Sequence, residues 1–505
     1  MCGIAGIWGG LDKDLVNGMM EKLIHRGPDA SGMALQKGAT LGHRRLSIMD
    51  PEGGRQPIFN ESGELAIVAN GEIYNFRQLE EDLAGKHEFS TTSDSEVPLH
   101  LFEDMSASMV SRLDGMFAFI LSDGVQMLAA RDPLGIKPLY YGKAGDNTVF
   151  ASELKALCGC ASEVKEFPPG SVFHSQSGFR KYLSLPKAEP EDRPPESWCA
   201  LIRDTLERAI GKRLMSDVPL GAFLSGGLDS SIIAAVARKH MDELHTFSVG
   251  IEGSGDLEAA RAVARHIDST HHEYVFSPED IRRHLPEIVY YLESFDQDLV
   301  RSAVPCYFVS RLASEHVKVI LTGEGADELF GGYTYYKDFD DTMPLHEELH
   351  RSVSSLHNIN LQRVDRLTMA HSIEGRVPFL DLEMIELGQR IPSRLKIHTG
   401  SDGRKVEKWI LRKAFEDLLP ENILWRAKEQ FDEGSGTSDL LPRLSSAFME
   451  DDEAGEYVKR HPDDAIRSSE ESVYHKLLCE AYEDPGTVLS NVGRWQADRM
   501  YERRP

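Results

Sequence analysis

The fold of the larger part of this chain is decided by Val218-Pro219-Leu220-Gly221-Ala222-Phe223-Leu224-Ser225-Gly226-Gly227-Leu228-Asp229-Ser230-Ser231. Val218 to Leu224 is an apolar run of strand character, which meets a Gly-Gly turn and then a helical pattern from Ser231 to Lys239. A second apolar run, Val317 to Leu321, also leads into a glycine-containing loop. Two such units predict a parallel sheet flanked by helices, with ligands bound at the carboxyl ends of the strands.

The loop after the first strand suits a polyphosphate. Gly226 and Gly227 let backbone N–H groups approach phosphate oxygens, and the start of the following helix favours anions. The expected ligands include the serines of the same loop: Ser225, Ser230 and Ser231. The loop has no Walker lysine. An aspartate among phosphates is favourable only if it binds Mg²⁺, so Asp229 is the expected metal ligand. A serine- and glycine-rich helix cap is the structural alternative.

This pattern resembles the pyrophosphate loop of the ATP-pyrophosphatases, and the resemblance implies attack on the α-phosphate of ATP, an acyl-adenylate and release of pyrophosphate. The second loop, Thr322 to Tyr333, carries three acids within five residues at a strand end. We expect Asp327 to be the second metal ligand. We expect Glu324 to take a proton from ammonia, or to orient it, as ammonia attacks the adenylate. A solvated acidic loop is the alternative.

The amino terminus offers a nucleophile. Initiator methionine is readily removed before a small residue, so we expect Cys2 to become the mature amino terminus. Its thiol would attack the substrate, and its own α-amino group, with a pKa of about 8, would act as the base. No catalytic histidine is then required. A buried apolar filler is the ordinary role of a lone free cysteine.

Five segments together resemble the class II glutamine amidotransferases: Cys2-Gly3-Ile4-Ala5-Gly6, His25-Arg26-Gly27-Pro28-Asp29, Arg45-Leu46-Ser47-Ile48, Asn70-Gly71-Glu72-Ile73-Tyr74-Asn75 and Ser93-Asp94. The resemblance implies an α+β sandwich of two sheets covered by helices (αββα), with Cys2 as nucleophile. Asn70 and Gly71 would donate hydrogen bonds to the oxyanion. Arg45 would bind the α-carboxylate of glutamine, and Glu72 and Asp94 its α-ammonium group. In isolation, Asn70-Gly71 would predict a hairpin turn.

Further segments extend the resemblance through about residue 435. The two loops, Phe247-Ser248-Val249-Gly250, Arg376-Val377-Pro378-Phe379-Leu380-Asp381 and Lys428-Glu429-Gln430-Phe431 follow the order found in the glutamine-hydrolysing asparagine synthetases. The resemblance implies adenosine contacts at Leu224, Val249, Thr322 and Gly323, and phosphate neutralisation by Lys428.

Two arginines, Arg301 and Arg376, are the candidate acceptor ligands, and for Arg376 a buried structural ion pair is an equal alternative. One departure concerns the acceptor. Many members of the family that this chain resembles have a Thr-Thr pair shortly before an arginine in the acceptor region, whereas here Asp298-Leu299 precedes Val300-Arg301.

Composition limits the remaining possibilities. The chain has 505 residues, which exceeds one ordinary core, and we expect an amidotransferase domain at 2–185, a Pro-rich acidic linker at 186–197 and an α/β synthetase domain at 198–505. A net charge of −26 disfavours nucleic acid as a partner. Six scattered cysteines and the absence of a long apolar run predict a cytoplasmic protein that does not span a membrane.

The favoured hypothesis is amide formation from glutamine and ATP with aspartate as acceptor. Amidation of a different carboxylate, or a non-catalytic protein that senses glutamine or nucleotide, are the alternatives. The partners are therefore small molecules, and the sequence leaves the oligomeric state open, a homodimer included. The acidic last 70 residues are expected to be helical, and no chemistry is assigned to them.

Overall fold

Two antiparallel sheets form the first domain in a computed structural model that describes residues 1–339 and 341–495. Their strands are β1 Cys2–Trp8, β2 Ala30–Gln36, β3 Ala39–Arg45, β4 Ile58–Phe59, β5 Ala66–Ile73, β6 Gly115–Ser122, β7 Met127–Arg131, β8 Tyr140–Ala144, β9 Asn147–Ala151, β10 Ser162–Glu166, β11 Ser171–His174 and β12 Gly178–Lys181. The orders are β10-β8-β9-β1-β3-β2 and β12-β11-β7-β6-β5-β4. The helices are α1 Lys13–Glu21, α2 Phe76–Leu83 and α3 Val97–Met105.

Alternation along the central strands explains why the sheets stack. In β6, Ala118 and Ile120 face the core between the two sheets, whereas Phe117, Phe119 and Leu121 face the apolar layer beneath α2 and α3. Successive side chains of a strand point to opposite faces, so a strand that is apolar throughout must be covered on both sides. Helix α1 covers the outer face of the other sheet. This arrangement is the predicted αββα sandwich.

The connection between the domains lacks strands and helices from 182 to 194. Helix α4, Pro195–Arg213, then begins three residues before the predicted start of the second domain at 198. Proline is favoured at the first helical position because its missing N–H would have no helical partner there. Pro195 therefore starts the helix, although the apolar periodicity becomes visible only from Trp198.

A parallel sheet lies at the centre of the second domain. Its strands are β13 Leu220–Phe223, β14 His245–Gly250, β15 Thr270–Val275, β16 Val319–Leu321 and β17 Glu374–Arg376, in the order β15-β14-β13-β16-β17. A short antiparallel pair, β18 His398–Thr399 and β19 Lys405–Val406, lies apart from it. The strand order reverses direction between β13 and β16, which is where doubly wound sheets bind ligands.

Helices cover this sheet and extend to the end of the described chain. After α4 they are α5 Leu228–Lys239, α6 Gly255–Ile267, α7 Pro278–Leu292, α8 Gln297–Ser314, α9 Ala326–Phe330, α10 Thr342–Ser354, α11 Asn360–Met369, α12 Leu382–Arg390, α13 Ser393–Lys396, α14 Trp409–Ala414, α15 Glu421–Leu424, α16 Phe431–Ser435, α17 Thr437–Ser445, α18 Asp451–Arg460, α19 Ser469–Ala481 and α20 Pro485–Leu489. The last four confirm the helical expectation for the acidic carboxyl-terminal region. Residues 340 and 496–505 of the predicted second domain lie outside the described residues.

Buried charges join the two domains. The Arg26 guanidinium, fully buried, lies 2.7 Å from Asp365 Oδ2 on α11 and 2.5 Å from Glu153 Oε1. Lys155 and Arg366 each lie 3.0 Å from Glu293. Loss of one partner from such a network leaves an uncompensated buried charge, so the interface has one favoured arrangement. Within the described part of the chain, every helix is too short or too polar to cross a lipid bilayer.

Candidate active sites

The thiol of Cys2 lies at the meeting point of the two sheets of the first domain. Cys2 opens β1 and pairs in register with Arg45 on β3. Its backbone N–H donates a hydrogen bond to Asn70 Oδ1 of β5 at 2.9 Å, which connects the two sheets. Asn70 is fully buried, and its Nδ2 has no hydrogen-bond partner among the described residues. A buried amide donor without a partner, beside a candidate nucleophile, is available for an oxyanion.

Met1 precedes the nucleophile in this structure and is itself buried. Its α-ammonium group lies 3.2 Å from Glu374 Oε2 of the second domain, with both groups fully buried. Burial raises the pKa of the Cys2 thiol, although the charges of the Met1 amino terminus and Arg45 act in the opposite direction. The thiol therefore needs a base before it can act as a nucleophile.

The Asn70-Gly71 pair lies inside β5, where the two residues pair with Ala118 and Phe117 of β6. This placement excludes the hairpin turn that the dipeptide would predict in isolation. Gly71 has a φ of +144°, and a Cβ at this position would lie 2.0 Å from the Met116 carbonyl oxygen. Only glycine fits here, and its backbone can approach a substrate closely.

The predicted glutamine ligands surround this point. Arg45 donates hydrogen bonds to the carbonyl oxygens of a short loop, at 3.0 Å to Pro51 and 2.6 Å to Asp50. Asp94 accepts the Ile73 N–H at 2.6 Å. Burial raises the pKa of Asp94 to about 6, and burial together with nearby Glu374 and Asp94 raises that of Glu72 well above its usual value. Glu72 Oε2 has no hydrogen-bond partner among the described residues. These acids can accept an ammonium group.

A cavity in the second domain lies at the carboxyl ends of β13, β14 and β16. It is lined by nine of the predicted nucleotide ligands and by the predicted acid Glu324. The nine are Leu224, Ser225, Gly227, Asp229, Ser230, Val249, Thr322, Gly323 and Lys428. Gly226 and Ser231 do not line it. Gly226 instead adopts a φ of +73° and packs against α6, where a Cβ would lie 2.5 Å from Ala259 Cβ.

The two glycine-containing loops touch each other. A Cβ on Gly323 would lie 2.9 Å from Asp229 Cβ, so glycine is required for this approach. Lys408 Nζ bridges the two predicted metal ligands, at 2.6 Å from Asp229 Oδ2 and 2.5 Å from Asp327 Oδ1. Lys428 Nζ lies 2.9 Å from Asp327 Oδ2. Burial opposes ionisation of Asp327, but the two lysines outweigh it and hold the pKa of this carboxyl well below its usual range.

Several polar atoms in these loops fit a metal ion and phosphates. Asp229 Oδ1 and Thr322 Oγ1 belong to residues that line the cavity, and both are buried without a hydrogen-bond partner among the described residues. Carboxylate and hydroxyl oxygens are the ligands that Mg²⁺ prefers, and phosphates accept hydrogen bonds from hydroxyls. Asp229 and Asp327 are therefore suited to a divalent cation.

Several charged residues of this cavity were not predicted from the sequence, and two of them, Lys408 and Arg363, contact acids of the two loops. Lys408 comes just before α14 and is almost fully buried, and Arg363 on α11 forms an ion pair with Glu324. Both come from segments far along the chain from the two loops, and no local motif marks them. Glu328, also outside the predicted set, accepts a hydrogen bond from Tyr333 at 2.6 Å, and burial together with Asp327 raises its pKa to about 7.

The two predicted acceptor ligands lie outside the cavity lining. Arg301 forms a two-pronged ion pair with Glu470, with its Nε 2.9 Å from Oε1. Arg376 is fully buried at the domain interface, with its Nε 2.6 Å from Glu374 and its Nη2 3.5 Å from Glu72. This placement favours the structural ion pair that was the alternative for Arg376.

Comparisons with known proteins agree with this two-site arrangement. The glutamine amidotransferase domain family matches residues 1–180, and the asparagine synthase family matches residues 201–342 and 337–486. Asparagine synthetase [glutamine-hydrolyzing] 2 of Arabidopsis thaliana is 41% identical over 463 residues, covering 87% of this chain and 80% of the relative. A probable asparagine synthetase [glutamine-hydrolyzing] of Dictyostelium discoideum is 37% identical, covering 98% of this chain and 96% of the relative.

A solved structure of glutamine phosphoribosylpyrophosphate amidotransferase from B. subtilis, complexed with ADP and GMP, is 22% identical with a TM-score of 0.32. The match covers 48% of this chain and 65% of the solved chain, and a TM-score this low supports no structural conclusion. The two domain families follow each other along the chain in the same order as the two sites described above. With relatives of this identity aligned over most of its length, the chain belongs to the glutamine-hydrolysing asparagine synthetase family.

Proposed function

We propose that this protein makes asparagine: ATP, aspartate, glutamine and water give AMP, diphosphate, asparagine and glutamate. The observation that carries the first half is the unpaired amide of Asn70 beside Cys2. The second half is supported by the two loops whose carboxylates meet at Lys408. The relatives named above carry this activity in their names, and their similarity extends over both halves.

In the first site, the Cys2 thiol attacks the side-chain amide of glutamine. Removal of Met1 gives Cys2 a free α-amino group, which accepts the thiol proton and later transfers it to the leaving ammonia. Asn70 Nδ2 and the Gly71 N–H stabilise the oxyanion. Arg45 binds the α-carboxylate of the substrate, and Glu72 and Asp94 bind its ammonium group. Water then hydrolyses the thioester to glutamate.

In the second site, the cavity binds ATP with its phosphates on the loop from Ser225 to Ser231 and its adenosine near Leu224, Val249 and Thr322-Gly323. Lys428 neutralises phosphate charge. Asp229 and Asp327 would hold Mg²⁺, which supplies positive charge next to the phosphates when it is bound. The aspartate β-carboxylate attacks the α-phosphate, diphosphate leaves, and ammonia displaces AMP from the β-aspartyl-adenylate. Glu324, next to Arg363, accepts a proton from the attacking nitrogen.

Arg376 supports transfer of ammonia inside the protein. Its side chain lies 3.5 Å from Glu72 of the first site, and its backbone carbonyl accepts the Thr322 N–H of the second site at 2.9 Å. One residue thus contacts both sites. Ammonia that stays enclosed remains unprotonated and at high effective concentration.

The acceptor is the part of the proposal that depends most on the family. Asp298 lines the cavity, and burial together with Asp296 raises the pKa of Asp298 to about 6. Arg301 is engaged by Glu470. Amidation of another carboxylic acid is therefore the second candidate function. All six cysteines are free thiols, which suits a reducing compartment, and we infer a cytoplasmic location.

The deciding experiment incubates the purified chain with ATP, Mg²⁺ and glutamine, with or without aspartate, and measures asparagine, AMP and diphosphate. We expect equal amounts of the three products only when aspartate is present. If AMP does not form with aspartate but does form with another carboxylic acid, that other acid is the acceptor.

A matched pair of cysteine variants separates the two sites. Cys2→Ala should lower glutamine-dependent synthesis by roughly 10³-fold or more, because the nucleophile is lost, and should retain synthesis from ammonium salts. Cys199→Ala, a partly buried thiol on α4, is the control and should retain both. Equal loss of both activities in Cys2→Ala would contradict two separate sites.

A further inference from the structure

A cluster of two histidines and two glutamates lies on the side of the first domain that carries α2 and α3. Glu61 comes from the turn between β4 and β5, and His87 follows α2. His100 and Glu103 are one turn apart on α3, so their side chains lie on the same face of that helix. The proposed catalytic steps use none of these four residues. We call this group the His87–His100 cluster.

The donor atoms of the cluster converge on one point. His87 Nδ1 lies 3.5 Å from Glu61 Oε1 and 3.6 Å from Glu103 Oε2. His100 Nδ1 lies 3.1 Å from Glu103 Oε2 and 3.8 Å from Glu61 Oε2. All four donor atoms lie within 4.8 Å of one another. Tetrahedral zinc with bonds of about 2.0 to 2.1 Å places its ligand atoms about 3.3 Å apart, which these separations approach.

The far side of each imidazole faces a further carboxylate. His87 Nε2 lies 3.2 Å from Asp104 Oδ1, and His100 Nε2 lies 3.4 Å from Glu96 Oε1. Histidines that bind metals commonly donate their second N–H to a carboxylate, which fixes the tautomer and directs the other nitrogen at the ion. Both rings here direct Nδ1 at the same point.

The two glutamates are held in the same manner. Asn60 Nδ2 donates a hydrogen bond to Glu103 Oε1 at 2.8 Å, which leaves Oε2 facing the histidines. The Glu88 N–H donates to Glu61 Oε1 at 2.7 Å. Each of the four donor groups therefore has a further polar partner, as the ligands of metal sites commonly do.

The burial of the two imidazoles and the local charge also favour a cation, although Glu61 and Glu103 lie at the surface. The His100 side chain is fully buried and that of His87 is 11% exposed. Together with Glu61 and Glu103, the outer acids Asp104 and Glu96 place four carboxylates around the two imidazoles. A salt-bridge network of protonated histidines is the competing arrangement, but it would direct two positive rings at each other with their centroids 4.8 Å apart.

We propose that Glu61, His87, His100 and Glu103 bind a divalent transition-metal ion, for which Zn²⁺ is the probe. Two imidazoles and two carboxylates suit zinc, whereas Mg²⁺ prefers oxygen ligands alone. Four protein ligands leave no open coordination position, so the ion has a structural role. It joins the turn before β5 and the segment after α2 to α3. Helix α3 directly follows the Asp94–Glu96 turn, which carries a proposed glutamine ligand.

The test measures metal content in the full-length chain, purified without a histidine tag and stripped with a chelator. The protein is dialysed against Zn²⁺, and bound metal is measured by elemental mass spectrometry. We expect Glu103→Gln and His87→Gln to bind one zinc ion fewer per chain than the wild type. Asp104→Asn, which changes only an outer partner, should weaken zinc binding by about 10- to 100-fold. Far-ultraviolet circular dichroism verifies that each variant is folded.

His174→Gln is the matched control. It alters a histidine of β11 that belongs to none of the groups of potential metal ligands among the described residues, and it should bind as much zinc as the wild type. The proposal is overturned if His174→Gln loses the zinc ion while Glu103→Gln and His87→Gln retain it. It is equally overturned if the folded wild type and the folded Glu103→Gln variant bind the same amount.

Discussion

The α-amino group of Met1 lies 3.2 Å from Glu374 Oε2, and both groups are fully buried where the two domains meet. The nitrogen of Cys2 is then a peptide N–H bonded to Asn70 Oδ1, and a peptide nitrogen cannot act as a base. Glutamine hydrolysis by the proposed route therefore requires removal of Met1. The same removal takes a cation away from Glu374, next to the acids that would receive the substrate ammonium group.

This relationship predicts the effect of an extended amino terminus. A chain with a short Gly-Ser extension before Met1 should lack glutamine hydrolysis, measured as glutamate release, and should keep synthesis from ammonium salts. Proteolytic removal of the extension and Met1, leaving Cys2 first, should restore hydrolysis. Hydrolysis by the intact extended chain at the rate of the cleaved one would show that no free amino group on Cys2 is needed.

A second prediction concerns Asn70. Asn70→Ala removes the amide whose Nδ2 is free to bind an oxyanion, and kcat for glutamine hydrolysis should fall by roughly 10²- to 10³-fold. The KM for glutamine should change little because the loss is confined to the transition state. Synthesis from ammonium salts should persist. An equal rise in KM without a change in kcat would assign Asn70 to substrate binding instead.

Local patterns in the sequence were sufficient for the architecture. The continuous apolar run from Gly115 to Leu121 is typical of a strand, and β6 occupies Gly115–Ser122. The apolar run ending at Leu224, followed by its Gly-Gly turn, predicted the strand and loop that line the cavity of the second domain. In these segments the apolar run and the turn residues that end it lie within a few positions of each other, so local sequence patterns are sufficient to predict the element.

Contacts between distant segments could not be predicted in this way. Lys408 joins Asp229 to Asp327 across the chain, and its position follows from the packing of α14. Arg301 was expected at the acceptor, but its partner Glu470 lies beyond about residue 435, where the recognisable sequence motifs end. The residue types alone do not show which acid a partly buried arginine will pair with.

A third prediction concerns pH. Burial raises the pKa of Asp94 to about 6 in the free protein, so this carboxyl loses its charge as the pH falls below that value. Only the ionised form attracts the ammonium group of glutamine. The kcat/KM for glutamine hydrolysis should therefore decrease by up to about tenfold per pH unit below pH 6, since this ratio reports the free enzyme.

The variant Asp94→Asn tests this assignment. It keeps an acceptor for the Ile73 N–H but carries no charge at any pH. Its kcat/KM should be lower than that of the wild type at pH 7, and the difference should shrink towards pH 5. A constant ratio between the two proteins across this range would show that Asp94 does not titrate in the glutamine site.

A fourth prediction concerns Lys408. Lys408→Gln removes the positive charge that lies between Asp229 and Asp327, so the two carboxylates repel each other and the loops that carry them separate. AMP formation should fall by roughly 10²-fold or more with either glutamine or ammonium as nitrogen donor, because both depend on the same nucleotide site.

The Lys408→Gln protein should also be less stable, by about 3 to 5 kcal/mol, as expected when a buried ion pair loses one partner. Lys413→Gln is the matched control. This partly exposed lysine lies on α14 and pairs with Glu416, and its variant should behave as the wild type. Glutamine hydrolysis, measured without ATP, should persist in Lys408→Gln, since Cys2 and Asn70 belong to the other domain. Normal AMP formation by a folded Lys408→Gln protein would show that the two carboxylates do not need this lysine to form the nucleotide site.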